Sequence, residues 1–567
     1  MKHNFLALTA LTVLTMLAAC GEDFLYKSPQ GSIDQDALTN PQGVELLVVN
    51  AYANLTENDW GASIFNWALS GIYGGDANKG SDGGDQSILN SLETYALIPT
   101  NSYINEKWIW VYKGAKRVNL TMQIMDQVDG MDASLKQLRR GELLCLRAMF
   151  YFEGLRVFGG YIPYVDESFT DNDPKVHNDR DIYPDVLADI DEAIALLPEQ
   201  PADPARVYKW AALALKAKIL MQKGDMAAAK PILADVLAGG HTATGKKYAL
   251  ANNLNDNWST YMDNTSPESI WEIQFTNDGN DNSNTGMSLC YPHTGGPGGC
   301  CGFYQPSYEL ANSFQVDENG LPYLNGEYRT NGRNVSSVAD VTVDPRLDFA
   351  AGRVGVPYKD YGPTMSGWIR DANNGGVFLP KKHVYSKAEE TDGYGRSSMS
   401  LNWSPGSAMN IQYLSVRDAM LMYAECLAAD GELAAAMHLV NQIRERAALP
   451  VNLIEGSPAT CKVSLYPESH AAFTDKATCI KAVRMERKLE LAMEGQRFFD
   501  LTRWGGDYMA AELGAYVDYE KAYINKFAGA SHLPPEKTMF PIPQTQIETM
   551  GNDENGQPYL VQPAPWK

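Results

Sequence analysis

The sequence lacks an excess of basic residues. It has 47 Lys and Arg against 69 Asp and Glu, which gives a formal net charge of −22. Binding to nucleic acid requires clustered cations that neutralise phosphates. The charge balance therefore argues against a nucleic-acid-binding protein. It also disfavours polyanionic sugars, unless a local basic pocket overrides the overall charge.

Common catalytic signatures are missing as well. The chain has no His-Glu-x-x-His zinc motif and no Gly-x-Ser-x-Gly nucleophile elbow, and its eight His are scattered. Segment 240–247 approaches a phosphate-binding P-loop, but Lys247 stands where Ser or Thr would bind magnesium. The preceding segment, 232–238, is also predicted to be helix where a P-loop needs a strand. We therefore predict that the protein is not an enzyme and has no catalytic residues.

Apolar runs long enough to cross a bilayer are absent too. The longest run, from Phe5 to Ala19, is too short for a transmembrane helix but typical of a secretory signal. It ends in Leu-Ala-Ala directly before Cys20, the pattern that lipoprotein signal peptidases cleave. We predict a signal peptide over 1–19 and an acylated Cys20 that anchors the mature protein to a membrane. A plain secretory peptide with an incidental cysteine is the alternative.

No Pro/Ser-rich linker or low-complexity tract divides the chain. A length of 567 residues would suggest about four domains on the usual prior, but that prior is soft. We predict one domain over 20–567. Within it we expect a helical-repeat scaffold at about 40–240 and 406–505, with loop-rich insertions at about 60–100 and 271–405.

The helical scaffold is indicated by an internal repeat. Segments 222–229 and 429–436 match each other: a helix ends at a glycine suited to a left-handed cap, an acidic residue opens the next helix, and three alanines permit close packing. Two further candidate hairpins pair these ranges: 43–55 with 107–128, and 138–158 with 183–197. We therefore predict a mainly α protein with about four helical hairpins of tetratricopeptide-like form.

The most specific segment is 484–505, RMERKLELAMEGQRFFDLTRWG. Its apolar residues follow helical spacing and form one stripe that we expect to be buried: Met485, Leu489, Ala492 and Phe499. Its charges lie three apart and are predicted to pair along the helix: Arg487 with Glu490, and Glu494 with Arg497. Gly495 marks a local break before an aromatic pair.

This segment closely resembles the signature near the C-terminus of the SusD/RagB family of glycan-binding outer-membrane lipoproteins. Other blocks resemble the family in the same order: 147–152 with 159–163, 344–347, 421–425, 440–447 and 540–543. The ending 562–566 departs from the family's usual Asn-Pro-Gly-aromatic ending, which puts only the packing of the tail in doubt. The acidic tract 21–23 resembles the signal that directs such lipoproteins to the cell surface.

The resemblance implies a binding subunit that lies over a SusC-like TonB-dependent transporter and hands oligosaccharides to it. It also implies that four tetratricopeptide-like hairpins form the scaffold and that the sugar site lies in irregular loops. The stretches at about 60–100 and 271–405, rich in Gly, Asn, Asp, Tyr and Trp, are suited to that role.

Sugar rings offer a C–H face that stacks on aromatic rings and a hydroxyl rim that hydrogen-bonds to polar side chains. The two loop stretches contain both kinds of residue. Asp76 is the first polar choice, because the family usually keeps an Asp at the matching point. The candidate glycan-binding residues are Trp67, Tyr73, Asp76, Asn78, Tyr304, Trp368, Arg370, Tyr394 and Trp403.

The cysteines allow several arrangements. If Cys20 is acylated, seven of the eight remain, so at least one is unpaired or joins another chain. Disulfides could link Cys461 with Cys479, Cys290 with one of the Cys300-Cys301 pair, or the two members of that pair. Segment 299–303 resembles a subset of the family that carries such a pair near the sugar site, which adds Cys300 and Cys301 to the candidate glycan-binding residues. A purely structural role for both thiols is the alternative.

We expect no cofactor. Asp76, Asn78 and Asp82 partly mimic a calcium loop, but Ser87 stands where the loop needs Glu, so calcium is kept only as an alternative. Two other functions also stay open. A surface glycoside hydrolase would need two carboxylates across the scissile bond, and a helical-repeat scaffold for peptides would leave the aromatic loops unexplained. The identity of the glycan is not predicted.

Overall fold

The computed structural model describes residues 38–56, 59–171, 173–276, 283–395 and 405–567. The predicted lipidation site Cys20 and the candidate glycan-binding residue Trp403 lie outside these ranges. In the described part of the chain, no helix combines the length and the apolar character needed to cross a bilayer.

Helices dominate the chain. In order they are α1 Pro41–Ala53, α2 Asn90–Glu93, α3 Ser102–Gln127, α4 Ala133–Phe158, α5 Tyr183–Leu196, α6 Lys209–Lys223, α7 Met226–Gly239, α8 Tyr308–Ser313, α9 Leu347–Ala350, α10 Ala372–Gly375, α11 Lys387–Thr391, α12 Val416–Asp430, α13 Leu433–Ala447, α14 Lys476–Glu490, α15 Arg497–Arg503, α16 Gly506–Glu520 and α17 Gln544–Met550. A π-helical turn, Trp67–Ile72, interrupts the first loop stretch.

The four predicted hairpins are confirmed. Helix α1 packs on α3, α4 on α5, α6 on α7, and α12 on α13. Adjacent hairpins also contact each other, and α7 packs against α12 although about 180 residues separate them in sequence. The long insertion therefore leaves the helical array continuous, as expected for a tetratricopeptide-like scaffold.

The two matched turns have the predicted caps. Gly224 ends α6 and Gly431 ends α12, both in the left-handed conformation, at φ 88° and 85°. The side chain of Asp225 then accepts a hydrogen bond from the backbone N–H of Ala228, which caps the start of α7. Glu432 precedes α13 at the matching point but makes no such side-chain bond.

Strands are short and pair only in twos among the described residues. They are β1 Ala77–Gly80, β2 Ser269–Ile273, β3 Phe303–Pro306, β4 Ala351–Gly352, β5 Leu379–Pro380 and β6 Ile411–Ser415. All three pairs are antiparallel: β1 with β3, β2 with β6, and β4 with β5. Because β2 and β6 flank the long insertion, their pairing closes its base.

The signature segment forms α14, a turn and α15, and three residues of its apolar stripe are buried as predicted: Leu489, Ala492 and Phe499. Met485 is only partly buried. The predicted ion pairs along the helix are wrong. Because the whole turn is buried, its charges are paired by side chains that arrive from other elements.

Three groups illustrate this network. Arg487 pairs with Asp418 and Asp500, each at 2.7 Å, while Arg497 pairs with Glu512 at 3.4 Å. Glu490 pairs instead with Arg346 and Arg446. Burial alone would raise the pKa of Glu490, but the neighbouring cations lower it to about 2.

Gly495 tests how tightly this turn is packed. Its φ is +65°, and a Cβ at this position would lie 1.7 Å from the backbone oxygen of Phe65. We expect Gly495→Ala to lower the free energy of unfolding by at least about 2 kcal/mol, because both strain and a backbone clash result.

Gly431→Ala is the matched control for this test. Gly431 also has a positive φ, of +85°, but a Cβ there would meet nothing within 4 Å. Only conformational strain of about 1 kcal/mol is expected for it. The measurement is the urea unfolding midpoint of both variants, and equal losses would contradict tight packing at Gly495.

Candidate functional site

The two loop stretches meet at the small β1–β3 sheet. Ala77 lies opposite Pro306, and Gly80 lies opposite Phe303. The backbone N–H of Ser81 then donates to the oxygen of Gly302 at 2.5 Å. As a result, segment 81–85, which follows β1, and segment 292–302, which precedes β3, meet at Ser81 and Gly302. Together with 365–370 they form what we call the loop surface.

Arg370 joins segment 365–370 of the loop surface to segment 81–85. Its guanidinium pairs with Asp82 at 2.5 Å and with Asp85 at 2.6 Å, and it donates to the hydroxyl of Ser81 at 2.8 Å. All three charged side chains are about one-third exposed, so water reaches them. The pKa of Asp82 is lowered, first by the hydrogen bond from the backbone N–H of Asp85 and further by Arg370. The surface thus presents an ionised carboxylate and guanidinium donors to solvent.

Trp368 lies beneath this surface. Its side chain is buried, with its ring edge-on to Tyr358 at 5.8 Å between centroids. The glycine-rich loop covers it: the backbone N–H of His293 donates to the oxygen of Trp368 at 2.8 Å, and a Cβ at Gly296 would lie 3.0 Å from the indole. The prediction that Trp368 offers an open stacking face is therefore wrong, because the glycines let the loop close over the ring.

Cys300 and Cys301 are bonded to each other. Cys301 is buried, whereas Cys300 is only partly buried. A Cβ at the next residue, Gly302, would lie 3.5 Å from the Cβ atoms of both Arg370 and His293, which places the disulfide on the loop surface. Of the arrangements left open by the sequence, the structure thus has the vicinal one.

The other suggested bridges are contradicted. Cys290, Cys461 and Cys479 are free thiols, as are Cys145 and Cys426. Cys479 is buried on α14, while Cys461 pairs through its backbone with Val343. Spacing along the chain suggested a bridge that the packing of these elements does not make.

Five candidate glycan-binding residues lie in the protein interior, which corrects their predicted contact with ligand. All are at most 2% exposed: Trp67, Tyr73, Asp76, Asn78 and Tyr304. Trp67 donates from its indole N–H to the oxygen of Gly286, and its ring lies edge-on to Tyr304. The physical reason is that the loop stretches are long enough to form a core of their own, and their aromatic residues fill it.

Asp76 and Asn78 connect this loop core to the helices. Asp76 accepts from the backbone N–H of Met493 at 3.2 Å, in the signature turn. Asn78 donates to Glu520 at 3.0 Å and accepts from the hydroxyl of Tyr516 at 2.9 Å, both on α16. Burial raises the pKa of Asp76 to about 7. Both residues therefore hold the scaffold together.

The calcium alternative gains no support from this geometry. Asp76, Asn78 and Asp82 point to three different sets of partners. Across the ranges that the structure describes, no group of three or more His, Cys, Asp or Glu side chains is arranged to hold a metal ion.

Tyr394 is the candidate aromatic residue that is well exposed, at 59%. Its ring lies edge-on to that of Tyr261 at 6.2 Å, and the hydroxyl of Tyr261 donates to Asp392 at 2.6 Å. Sequence reasoning missed Tyr261 and also missed Ser81 and Asp85 of the loop surface. The acidic residues on both sides of a Gly-Gly pair at 82–85 were the signal that could have identified this turn.

The fold and these loops define the class of protein: a helical-repeat scaffold whose long insertion carries an exposed polar surface. Comparison with known families agrees. Residues 267–559 match the SusD family, and residues 23–221 match a family described as starch-binding and associating with the outer membrane. The chain belongs to the SusD family.

Individual relatives are distant in sequence, but the matched region covers most of this chain and most of each relative. A SusD-like protein of Formosa agariphila is 26% identical over 512 residues, which is 88% of this chain and 90% of the relative. A crystal structure of a SusD superfamily protein from Bacteroides vulgatus has a TM-score of 0.66 at 18% identity, covering 93% of this chain and 99% of that one.

Two further structures have names that state a ligand. A laminarin-binding SusD-like protein has a TM-score of 0.63 at 20% identity, and it covers 93% of this chain and 99% of its own. Surface glycan-binding protein A from Bacteroides thetaiotaomicron, in complex with laminarihexaose, has a TM-score of 0.61 at 18% identity, with 92% and 99% covered. At these identities the likeness establishes the fold.

Asp76→Asn tests the structural role of Asp76. The folded pKa of about 7 exceeds the ordinary 3.8, so the folded state retains a proton that the unfolded state releases. The stability from this group is full below about pH 4 and is lost as the pH rises to about 7, by up to about 1.4 kcal/mol per pH unit. We expect the variant to lack this part of the pH dependence.

Urea unfolding between pH 4 and 8 measures this effect. Asp82→Asn is the control: because the pKa of Asp82 is lowered, its contribution to stability is lost only at more acid pH, so this variant is expected to keep the pH dependence of the wild-type protein between pH 4 and 8. If the wild-type protein and Asp76→Asn lose stability equally with rising pH, Asp76 is not the buried titrating group described above.

Alkylation tests the cysteine arrangement. In unfolded, unreduced protein, we expect the reagent to label Cys145, Cys290, Cys426, Cys461 and Cys479, and to label Cys300 and Cys301 only after reduction. Peptide mass spectrometry reads the result. A peptide that joins Cys461 to Cys479 would contradict the structure.

Proposed function

We propose that this protein is a cell-surface lipoprotein that captures oligosaccharides at the loop surface and delivers them to a SusC-like TonB-dependent transporter. Its membership of the SusD family carries the proposal. Two structures with the same fold bind laminarin or laminarihexaose according to their names, which supports a saccharide as the ligand class.

The chemistry of the loop surface fits a saccharide. Arg370 presents guanidinium donors, while Asp82 and Asp85 present carboxylate acceptors, all partly exposed beside each other. Sugar hydroxyls both donate and accept hydrogen bonds, so this set matches them. Cys300 and the exposed side chain of Met365 add polarizable surface next to these polar groups.

The state of Asp82 does not fit the acid role that hydrolysis at the loop surface would need. A glycosidase needs a carboxylic acid whose pKa is raised, so that it can protonate the leaving oxygen. The pKa of Asp82 is instead lowered, and Arg370 is bound directly to both carboxylates of the loop surface. This arrangement holds Asp82 ionised, which suits hydrogen bonding and does not suit acid catalysis.

Anchoring and delivery complete the proposal. The family matched by residues 23–221 is described as associating with the outer membrane. Acylation of Cys20 would provide the attachment, and the acidic tract 21–23 would send the protein to the outer face. The transporter partner is proposed from the family resemblance.

Arg370→Ala is the direct test. Removing the guanidinium eliminates several hydrogen bonds to the ligand and also separates the segments that it joins, so we expect saccharide affinity to fall about tenfold or more. Affinity electrophoresis against laminarin and other neutral and acidic polysaccharides measures binding, and titration calorimetry with laminarihexaose gives the affinity.

Arg333→Ala serves as the matched control, because Arg333 is exposed and lies outside the loop surface. Its affinity is expected to equal that of the wild-type protein. Chromatography of the same mixtures is expected to show no shorter saccharides. Release of shorter saccharides by purified protein, or equal binding by Arg370→Ala, would contradict the proposal.

A further inference from the structure

A second concave site lies away from the loop surface. It is a cleft of about 630 Å³ lined by segments 253–259, 357–360, 381–389 and 450–455. Two lysines, Lys359 and Lys381, are among the lining residues, and we call it the lysine cleft. Sequence reasoning did not find it, because these segments are far apart in the chain.

Lys359 is held in an unusual backbone conformation. Its φ is +47°, in a turn that is closed by a 2.8 Å hydrogen bond from the N–H of Tyr358 to the oxygen of Gly362. Non-glycine residues seldom adopt this conformation, and strained backbone of this kind is enriched at functional sites. The ammonium group donates to the backbone oxygens of Trp258 and Val384.

Lys381 lies behind Lys359 and is almost fully buried, at 3% exposure. Its ammonium group donates to the backbone oxygens of Asp348 at 2.5 Å and Pro357 at 2.9 Å. An ammonium group has three donors, and each lysine uses two of them on backbone oxygens. The third donor of each lysine has no hydrogen-bond partner among the described residues.

Neither lysine has an ion-pair partner within 4 Å among the residues that the structure describes. Burial lowers the pKa of Lys359 to about 8 and that of Lys381 to about 7. The carboxylates of Glu389 and Asp360 oppose this shift at Lys359, and that of Asp348 opposes it at Lys381, but they do not offset it. An anion bound directly to the ammonium groups would therefore relieve an unfavourable arrangement.

The acidic residues of the cleft act on Lys359 through their charge but make no direct ion pair with either lysine in the described part of the chain. Asp360 accepts from the backbone N–H groups of Lys387 and Ala388 at 2.6 and 2.8 Å, at the start of α11. Glu389 accepts from the hydroxyl of Ser259 and the N–H of Thr260. Of the remaining two, Glu455 is exposed, while Asp256 is half-buried and its pKa is raised, first by burial and then by the charge of Glu268.

The surroundings of the cleft suit a sugar as the carrier of the anion. Val451 and Leu453 are about half exposed and give one wall an apolar face. The exposed Tyr261 and Tyr394 follow the lining residues Ser259 and Glu389 closely in sequence and lie against each other. An apolar wall and exposed aromatic rings are what the C–H face of a sugar requires.

The lysine cleft and the loop surface are separate. They share no lining residue, and the buried Tyr358 lies between them. One side of its ring contacts Trp368 edge-on at 5.8 Å, and the ammonium group of Lys381 lies 5.5 Å from its centroid. A substitution in one site can therefore be expected to leave the other intact.

We propose that the lysine cleft is a second saccharide site, which binds the carboxylate or sulfate group of an acidic sugar through Lys359, with Lys381 behind it. The saccharide part of this inference rests on the proposed function, whereas the anion part rests on the cleft itself. The two ammonium groups would give an acidic protein a point of cationic contact for a polyanionic ligand, which its net charge of −22 and the four carboxylates that also line the cleft otherwise disfavour.

The first experiment uses sulfate as the probe and needs no knowledge of the sugar. Thermal unfolding is measured in sodium sulfate and in sodium chloride at equal ionic strength, for the wild-type protein, Lys359→Met, Lys359→Arg and the exposed control Lys247→Met. Sulfate stabilises proteins in general, so the informative quantity is the difference between variants.

We expect the extra stabilisation by sulfate to be lost in Lys359→Met, kept in Lys247→Met and partly kept in Lys359→Arg. Equal sulfate responses in all four proteins would overturn the anion site. A folded Lys359→Met is confirmed by its far-UV circular dichroism. If it does not fold, Lys359→Gln, which keeps a hydrogen-bond donor without the charge, takes its place.

The second experiment identifies the anionic group. Affinity electrophoresis compares uronate polysaccharides with their carboxyl-reduced forms, and sulfated polysaccharides with their desulfated forms. We expect the wild-type protein to bind at least one acidic form at least tenfold more tightly than its neutral counterpart. Lys359→Met should lose that preference, while Arg370→Ala should keep it.

The outcomes separate this inference from the proposed function. Binding of neutral saccharides with no preference for any acidic form would overturn the inference and leave the proposed function standing. Loss of the preference in Arg370→Ala but not in Lys359→Met would place the anion on the loop surface and also overturn it. Failure to bind any saccharide would overturn the proposed function, and the sulfate experiment would still decide whether the cleft binds an anion.

Discussion

The structure depends on a network of buried ion pairs around the turn between α14 and α15. Arg487 joins this turn to Asp418 of the helical array, while Glu494 joins it to Arg417 of the array and to Lys382 of the insertion. Removing one partner would leave an uncompensated buried charge, which typically costs about 3–5 kcal/mol. Scaffold and insertion are therefore held in one relative position, which also fixes the loop surface and the lysine cleft.

The loop stretches, like the helical scaffold, have a packed apolar interior. Their aromatic residues form an interior that continues the main core, so that Trp67 and Tyr304 are fully covered. What reaches the surface is mainly polar and sulfur-containing, with Arg370 and the vicinal disulfide as the clearest examples. Many aromatic residues in a long loop therefore indicate, in the first place, that the loop has a packed interior. They are weaker evidence for a ligand-binding surface.

Charge has to be judged locally in this protein. The net charge of −22 describes the long-range field, whereas recognition happens within a few ångströms, where neighbouring dipoles and ions dominate. At the loop surface, one guanidinium offsets two carboxylates. In the lysine cleft, two ammonium groups donate to backbone oxygens and make no direct ion pair within the described ranges. An overall acidic protein can therefore contain sites of different electrostatic character.

The amino-acid sequence by itself determined the helical hairpins, their glycine caps at Gly224 and Gly431, and the family, because these follow from local periodicity and from ordered motifs. The tertiary structure alone decided which side chains are available to a ligand. It buried Asp76, exposed Tyr394 and brought Arg370 to Asp82 across almost 290 residues. Burial and long-range pairing arise from the packing of segments that are distant in sequence. Local sequence patterns do not predict which of these segments will contact each other.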